Sequence, residues 1–198
     1  MDFPGILMVV SGPSAAGKGT LCRHLLEDTD NLHLSVSYTT RKPRAGEEHG
    51  RHYYFCSREE FEAKVRCSEF LEWAEVYGNF YGTPWEEMQT SLKAGSDILL
   101  EIDMQGARQV RQRYPGGIFV FILPPSKEHL QQRLLSRGTE SPETVQLRLE
   151  NLEKELEYVY EYDYVVINDA VDEAVDKLRA IYVAERCRPH RSLQFWKG

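Results

Sequence analysis

Gly12, Gly17 and Lys18, within the stretch Val9 to Leu21 that reads VVSGPSAAGKGTL, have the types and spacing to hold a polyphosphate. Glycines let successive backbone N–H groups turn toward phosphate oxygens, the helix that follows adds its positive N-terminal dipole, and the lysine reaches the outer phosphates. The pattern G-x-x-x-x-G-K is normally completed by Ser or Thr, whose hydroxyl ligates magnesium directly. Here the next residue is Gly19 and the hydroxyl arrives one position late, on Thr20. Either the loop holds no nucleoside triphosphate or it belongs to a class that carries its metal by other means.

Other residues have the chemistry to accompany such a loop. Arginine outnumbers lysine sixteen to eight, and the guanidinium fork suits bidentate contact with phosphate. Arg133 and Arg137 are four apart and share a helix face, while Arg148 lies beyond the break SRGTESPE and can face them. Glu101 and Asp103 close the run DILLEID and, two apart, point to one side of a strand. A carboxylate placed there can hold magnesium through water. With a net charge of -7, the chain lacks the cationic surface that nucleic-acid binding requires. Any polyanion must meet a local cluster.

The elements that position these residues follow from apolar patterning. Four short runs, ILMVV (6–10), DILLEI (97–102), IFVFIL (118–123) and YVVI (164–167), are apolar on both faces and predict buried parallel strands. Helical spacing follows at 21–26, 104–113, 129–135, 145–159 and 171–181. Alternating β and α predicts an α/β fold, a parallel core sheet flanked by helices. Residues 32–95 interrupt the rhythm: LHLSVSY alternates, RKPRAGEEHG turns, and RHYYF offers another strand. They predict an inserted, half-exposed, largely antiparallel lobe. A smaller helical insertion is expected near 137–160, with Ser141 as N-cap and Pro142 opening the helix.

The motif GKGT resembles the loop of adenylate-kinase-type nucleoside monophosphate kinases, where the metal relies on water and phosphates. More specifically, GPSAAGKGT, SVSYTTRKPRAGEEHGRHYYF, FLEWAEVYGNFYGT and EIDMQG, in that order, resemble guanylate kinase over about residues 6–184. The resemblance implies a three-layer phosphate-loop fold in one domain: core 1–33, 96–136 and 161–198, an acceptor insertion about 34–95, and a lid about 137–160. It implies phosphoryl transfer from ATP with Mg2+ to GMP. ATP would meet Gly12, Pro13, Ser14, Ala15, Ala16, Gly17, Lys18, Gly19, Thr20, Asn168 and Asp169. The GMP phosphate would fall to Arg41, Arg44, Tyr53 and Tyr81, and guanine to Ser37, Glu72, Thr83 and Asp103. Lys18, Arg133, Arg137 and Arg148 would serve the transferring phosphoryl group, with Glu101 and Asp103 holding the metal through water.

Guanine offers donors at N1 and N2, so a carboxylate such as Glu72 can accept from both while a Thr83 hydroxyl donates to O6; adenine has no donor at N1. The alternative within the resemblance is a non-catalytic relative that uses this fold to bind protein partners. Such relatives usually lose loop or lid residues, all of which are present here. The motif DMQG fits D-x-x-G of a switch GTPase, but no N-K-x-D accompanies it. Apolar runs of five or six residues cannot span a bilayer, and MDFPGILMVV has no signal-peptide pattern. A cytoplasmic protein with four reduced cysteines and no zinc site is expected. The tail RCRPHRSLQFWKG reads as a loose basic terminus.

Overall fold

The computed structural model describes residues 4–76, 78–136 and 142–196. The first elements are β1 (Leu7–Ser11), α1 (Lys18–Glu27), β2 (Leu32–Leu34), β3 (Tyr38–Thr39), β4 (Tyr54–Phe55) and α2 (Arg58–Arg66). There follow β5 (Phe70–Val76), β6 (Asn79–Pro84), α3 (Trp85–Lys93), β7 (Asp97–Glu101), α4 (Met104–Arg113) and β8 (Ile118–Leu123). The chain continues through α5 (Lys127–Ser136), α6 (Pro142–Glu157), β9 (Tyr164–Ile167), α7 (Val171–Arg186) and α8 (Pro189–Trp196).

Five strands form one parallel sheet in the order β2-β7-β1-β8-β9. β1 is apolar from Leu7 to Val10 because both of its faces are covered. Leu7 and Val9 pack with Met88, Leu92, Leu100, Val110 and Phe119, and Met8 and Val10 pack with Leu21, Leu25, Val120 and Leu178. The α/β fold expected from the sequence is thus present, with α3 and α4 on one face and α1 and α7 on the other. A separate sheet, β4-β3-β6-β5, is mixed: β3 pairs with β4 in parallel and with β6 in antiparallel, as β5 does with β6. Phe61, Phe70 and Phe80 form its own small core, and a Ser57/Glu60 capping box starts α2.

Three expectations need correction. The run 164–167 is not buried on both faces: β9 is an edge strand, and Val165 and Ile167 are exposed. Residues 32–34 do not begin the inserted lobe; they pair with Asp97–Leu99 as an edge strand of the core sheet, and their half-exposed pattern is that of an edge. The basic tail is not loose through Trp196. It forms α8, anchored where Arg188 and Arg191 meet the buried Glu185, which also accepts from the Tyr164 hydroxyl at 2.6 Å. Arg137, Ser141 and Tyr77 lie outside the described residues.

Asp97 ties the two ends of the core together. Its carboxylate, with no solvent exposure, accepts from the Ile6 amide at 2.7 Å, the Tyr182 hydroxyl at 2.5 Å and the Arg186 guanidinium. Removing one partner of a buried pair leaves the others without compensation. Asp97→Ala is expected to lower unfolding free energy by about 3 kcal/mol, measured by urea denaturation, because the Ile6 amide and the Tyr182 hydroxyl lose their acceptor together.

Candidate active site

The carboxyl ends of the parallel strands meet where β1 sits between β7 and β8, the place where open α/β sheets bind ligands. The loop from Gly12 to Gly17 crosses there, and α1 begins at Lys18. Gly17 has φ 95°, and a Cβ on it would stand 2.2 Å from Asn168 Nδ2. Only glycine fits, because Asn168 is buried directly against the loop and donates to the Ala16 carbonyl at 2.7 Å. Asp169 follows it in the turn before α7. Lys18 folds back on its own loop, donating to the Gly12 and Pro13 carbonyls at 2.5 and 3.0 Å. Burial pushes its ammonium pKa down, while Glu101, Glu155 and Asp103 pull it back up.

Helices α5 and α6 rest on this loop. Arg133 on α5 donates to the Ala16 and Asn168 carbonyls at 3.3 and 2.9 Å, and Arg148 on α6 donates to Ser14 Oγ. Ala15, at φ 66°, is held in a conformation costly for a residue with a Cβ. Its methyl packs with Leu130, Leu134, Leu149 and Leu152. Between the loop and β7 lies a cavity of about 400 Å3 lined by Ser14, Ala15, Gly17, Lys18, Gly19, Thr20, Arg23 and Glu101.

A second cavity, of about 240 Å3, runs from Lys18 and Glu101 to the inserted sheet, where Ser37, Tyr53, Glu72, Tyr81 and Asp103 line it. Glu72 on β5 faces Thr83 on β6 across an antiparallel pair, and the Thr83 hydroxyl donates to its carboxylate at 2.6 Å. Ser37 Oγ lies 3.4 Å from Thr83 Oγ1. Tyr53 and Tyr81 meet edge to face at 5.9 Å. Arg41 stands 5.5 Å over the Tyr53 ring and donates to Glu47 at 2.8 Å, while the Arg44 amide donates to the other Glu47 oxygen. Neither arginine lines the cavity itself.

Burial raises the Glu72 carboxyl pKa to about 7, with a further push from the Asp103 charge and an opposing pull from the Thr83 hydrogen bond. Asp103 caps α4 by accepting from the Gly106 amide at 2.8 Å. A Cβ on Gly106 would stand 2.5 Å from Glu72 Oε2. Gly106→Ala is therefore expected to displace the Glu72 carboxylate, raising KM for a substrate held in this cavity about tenfold or more. Crowding of this kind costs about 1–3 kcal/mol of stability. Kinetics beside a thermal melt check both.

The residues present fit a magnesium ion carried by phosphates. No cluster of three His, Cys, Asp or Glu residues placed to hold a metal occurs among the described residues, and Mg2+ commonly takes only one or two carboxylates beside phosphates and water. The Glu101 oxygens lie 3.4 and 3.5 Å from where a Cβ on Gly19 would be. A carboxylate thus occupies the neighbourhood in which a Ser or Thr side chain at position 19 would project.

The guanylate kinase family model matches residues 5–185. The chain belongs to the guanylate kinase family. It is 54% identical over 194 residues to a guanylate kinase of Desulfitobacterium hafniense, covering 98% of this chain and 97% of that protein. A guanylate kinase of Caldanaerobacter subterraneus is 53% identical over 188 residues, covering 95% and 91%. The crystal structure of guanylate kinase from Anaplasma phagocytophilum superposes with a TM-score of 0.79 at 36% identity, covering 94% of this chain and 89% of that one.

Within this guanylate kinase fold, sequence reasoning passed over residues that support the site. Gly106 stands inside the quoted motif EIDMQG, yet its contact with Glu72 is visible only in three dimensions. Arg113 donates to the Phe70 and Leu71 carbonyls at 2.6 and 2.7 Å and pulls the Glu72 carboxyl pKa down. Glu47 holds Arg41 and the Arg44 backbone, and Arg41 keeps its carboxyl below the usual range. A signal existed for Glu47, an acid inside an arginine-rich turn. For Arg113 there was none, since a last-turn arginine is common on any helix.

Proposed function

We propose that the chain transfers the γ-phosphoryl group of ATP to GMP, giving ADP and GDP. The observation that carries this reading is the shared cavity with Lys18 and Glu101 at one end and Glu72 at the other. A phosphate loop and a base-reading carboxylate then address one acceptor held between them. The same reading takes the whole chain as one kinase domain, with the acceptor insertion at about 34–95, the lid at about 137–160, and its place of action in the cytoplasm.

Each group has a task. GMP enters with guanine at Glu72, Thr83 and Ser37, and Asp103 beside them. Its phosphate is received by Tyr53, Tyr81, Arg41 and Arg44, whose forks and phenols orient a dianion. ATP lies along the loop amides and Thr20, and its outer phosphates displace Lys18 from the Gly12 and Pro13 carbonyls. Glu101 and Asp103 would hold magnesium through water, which supplies charge neutralisation when bound. The acceptor needs no general base, because the second pKa of a phosphate monoester is about 6. What remains is alignment and neutralisation of two approaching anions, done by Lys18, Arg133, Arg137 and Arg148. Closing the lid excludes water and suppresses ATP hydrolysis.

The test is ADP formation from ATP and magnesium with GMP, AMP, UMP and CMP in parallel, beside a control without acceptor. ADP formed with GMP alone supports the reading. Equal activity with another monophosphate overturns the acceptor assignment. Folded protein with no activity on any acceptor returns the weight to a binding module.

A further inference from the structure

Glu155 is a half-buried acid that the transfer reaction described above does not use. It stands on α6 seven residues after Arg148, two helical turns on and so on the same face. That face is docked: Arg148 meets Ser14 Oγ, and Leu149 and Leu152 pack against Ala15 of the loop. One carboxylate oxygen of Glu155, Oε2, is buried with no hydrogen-bond partner. Its pKa is raised by burial, pulled down by Lys18 and pushed up by Asp103. The acid therefore feels the loop lysine from the lid side. A buried carboxylate oxygen without a donor costs free energy in the state that holds it, and a donor that reaches it is favoured by that amount.

We propose that Glu155 is a positioning residue for phosphoryl transfer, the lid carboxylate that receives and orients the Lys18 ammonium once the phosphates of ATP have drawn it off the Gly12 and Pro13 carbonyls. An ammonium has three donors. In the structure two of them are spent on the loop. With phosphate oxygens taking their place, a fixed carboxylate on the other side restricts the remaining freedom of a flexible side chain and aims its charge. Because Glu155 rides on the lid helix, this restriction arrives only when α6 is seated on the loop, which couples closure to the setting of Lys18. Arg148 and Glu155 on one face then divide the work: the arginine reaches the loop beside the donor phosphates, and the acid sets the lysine.

The proposal rests on the reading of the chain as a GMP-phosphorylating kinase, and the experiment separates the two. Wild type, Glu155→Gln, Glu155→Asp, Lys18→Met and the double variant Lys18→Met/Glu155→Gln are compared in steady-state and single-turnover assays with ATP, magnesium and GMP, with thermal melts of each. Glu155→Gln is expected to lose about tenfold or more in kcat, with KM for GMP within about twofold of wild type and an unchanged melting midpoint. Glu155→Asp, which keeps the charge, is expected to recover part of that loss. The deciding result is the cycle: in the Lys18→Met background Glu155→Gln costs nothing further, because an effect that acts through Lys18 vanishes with it. Additive losses, a normal kcat for Glu155→Gln, or a loss that follows KM for GMP or the melting midpoint would overturn the proposal alone. Wild-type protein without GMP-dependent ADP formation would overturn the reading of function, and the proposal with it.

Discussion

Lys18→Met is expected to lower kcat by about 10^2–10^3-fold or more while leaving GMP binding nearly intact. Taking away one preorganised charge or donor aimed at developing negative charge costs catalysis about that much, and Lys18 is the cation that lines both cavities. In the proposed function GMP affinity is set at the other end, by Glu72, Thr83 and the Tyr53/Tyr81 pair. The fold does not depend on the ammonium. Burial already pushes the Lys18 pKa down, so its charge is a cost to the folded chain, and Met fills much the same volume. Against that, the Gly12 and Pro13 carbonyls lose a donor. These opposing effects predict a melting midpoint within a few degrees of wild type. Single-turnover rates, GMP titration and a thermal melt make the check. A variant with normal turnover would remove Lys18 from the transfer step.

Glu72→Gln is expected to separate stability from specificity. An ionised Glu72 accepts from N1–H and N2–H of guanine, whereas Gln offers one acceptor and a mismatched NH2. A site built to pair donors discriminates strongly when that pairing fails, so kcat/KM for GMP should fall about 10^2–10^3-fold without any gain on AMP. Stability moves the other way. The folded pKa, about 7, lies above the ordinary carboxyl value of 4.5, so the folded state binds the proton more tightly than the unfolded state. That contribution is fully present below 4.5 and is lost as pH rises through 7. At pH 8 the ionised, buried Glu72 therefore costs the wild type as much as ~3 kcal/mol. Glu72→Gln avoids this cost and should melt above wild type at pH 8, with the difference closing toward pH 4.5. In kinetics the wild type should show an acid limb in kcat/KM for GMP near pH 7, on top of the limb of the GMP phosphate at about 6. The variant should keep only the phosphate limb. Melts and pH–rate profiles of the two proteins decide it.

Much of the site was legible because its information is local. GPSAAGKGT carries its glycines, its lysine and the start of α1 in one short stretch, and the both-faces-apolar runs at β1, β7 and β8 announce a covered parallel sheet; the run at β9 reads the same way, yet it lies at the sheet edge with Val165 and Ile167 exposed. Glu72 and Thr83 are named by the resemblance of FLEWAEVYGNFYGT to guanylate kinase. That they share a hydrogen bond follows only from the register of β5 on β6, which aligns residues eleven apart.

The misjudged segments fail for a physical reason. Leu32–Leu34 alternates because an edge strand has one solvated side, and alternation alone does not say which sheet owns that edge. Arg188 and Arg191 look like a loose basic end until α7 and β9 bring Glu185 and Tyr164 beside them. By itself the sequence determined the phosphate loop, the α/β class and the family, since each rests on residue types at short, fixed spacings. Tertiary structure alone decided that Gly106 must be small to admit Glu72, that Glu101 stands over Gly19, and that α6 seats Arg148 on the loop at Ser14. Those contacts join residues from 34 to 134 positions apart, and their energy depends on burial and register, which no local pattern encodes.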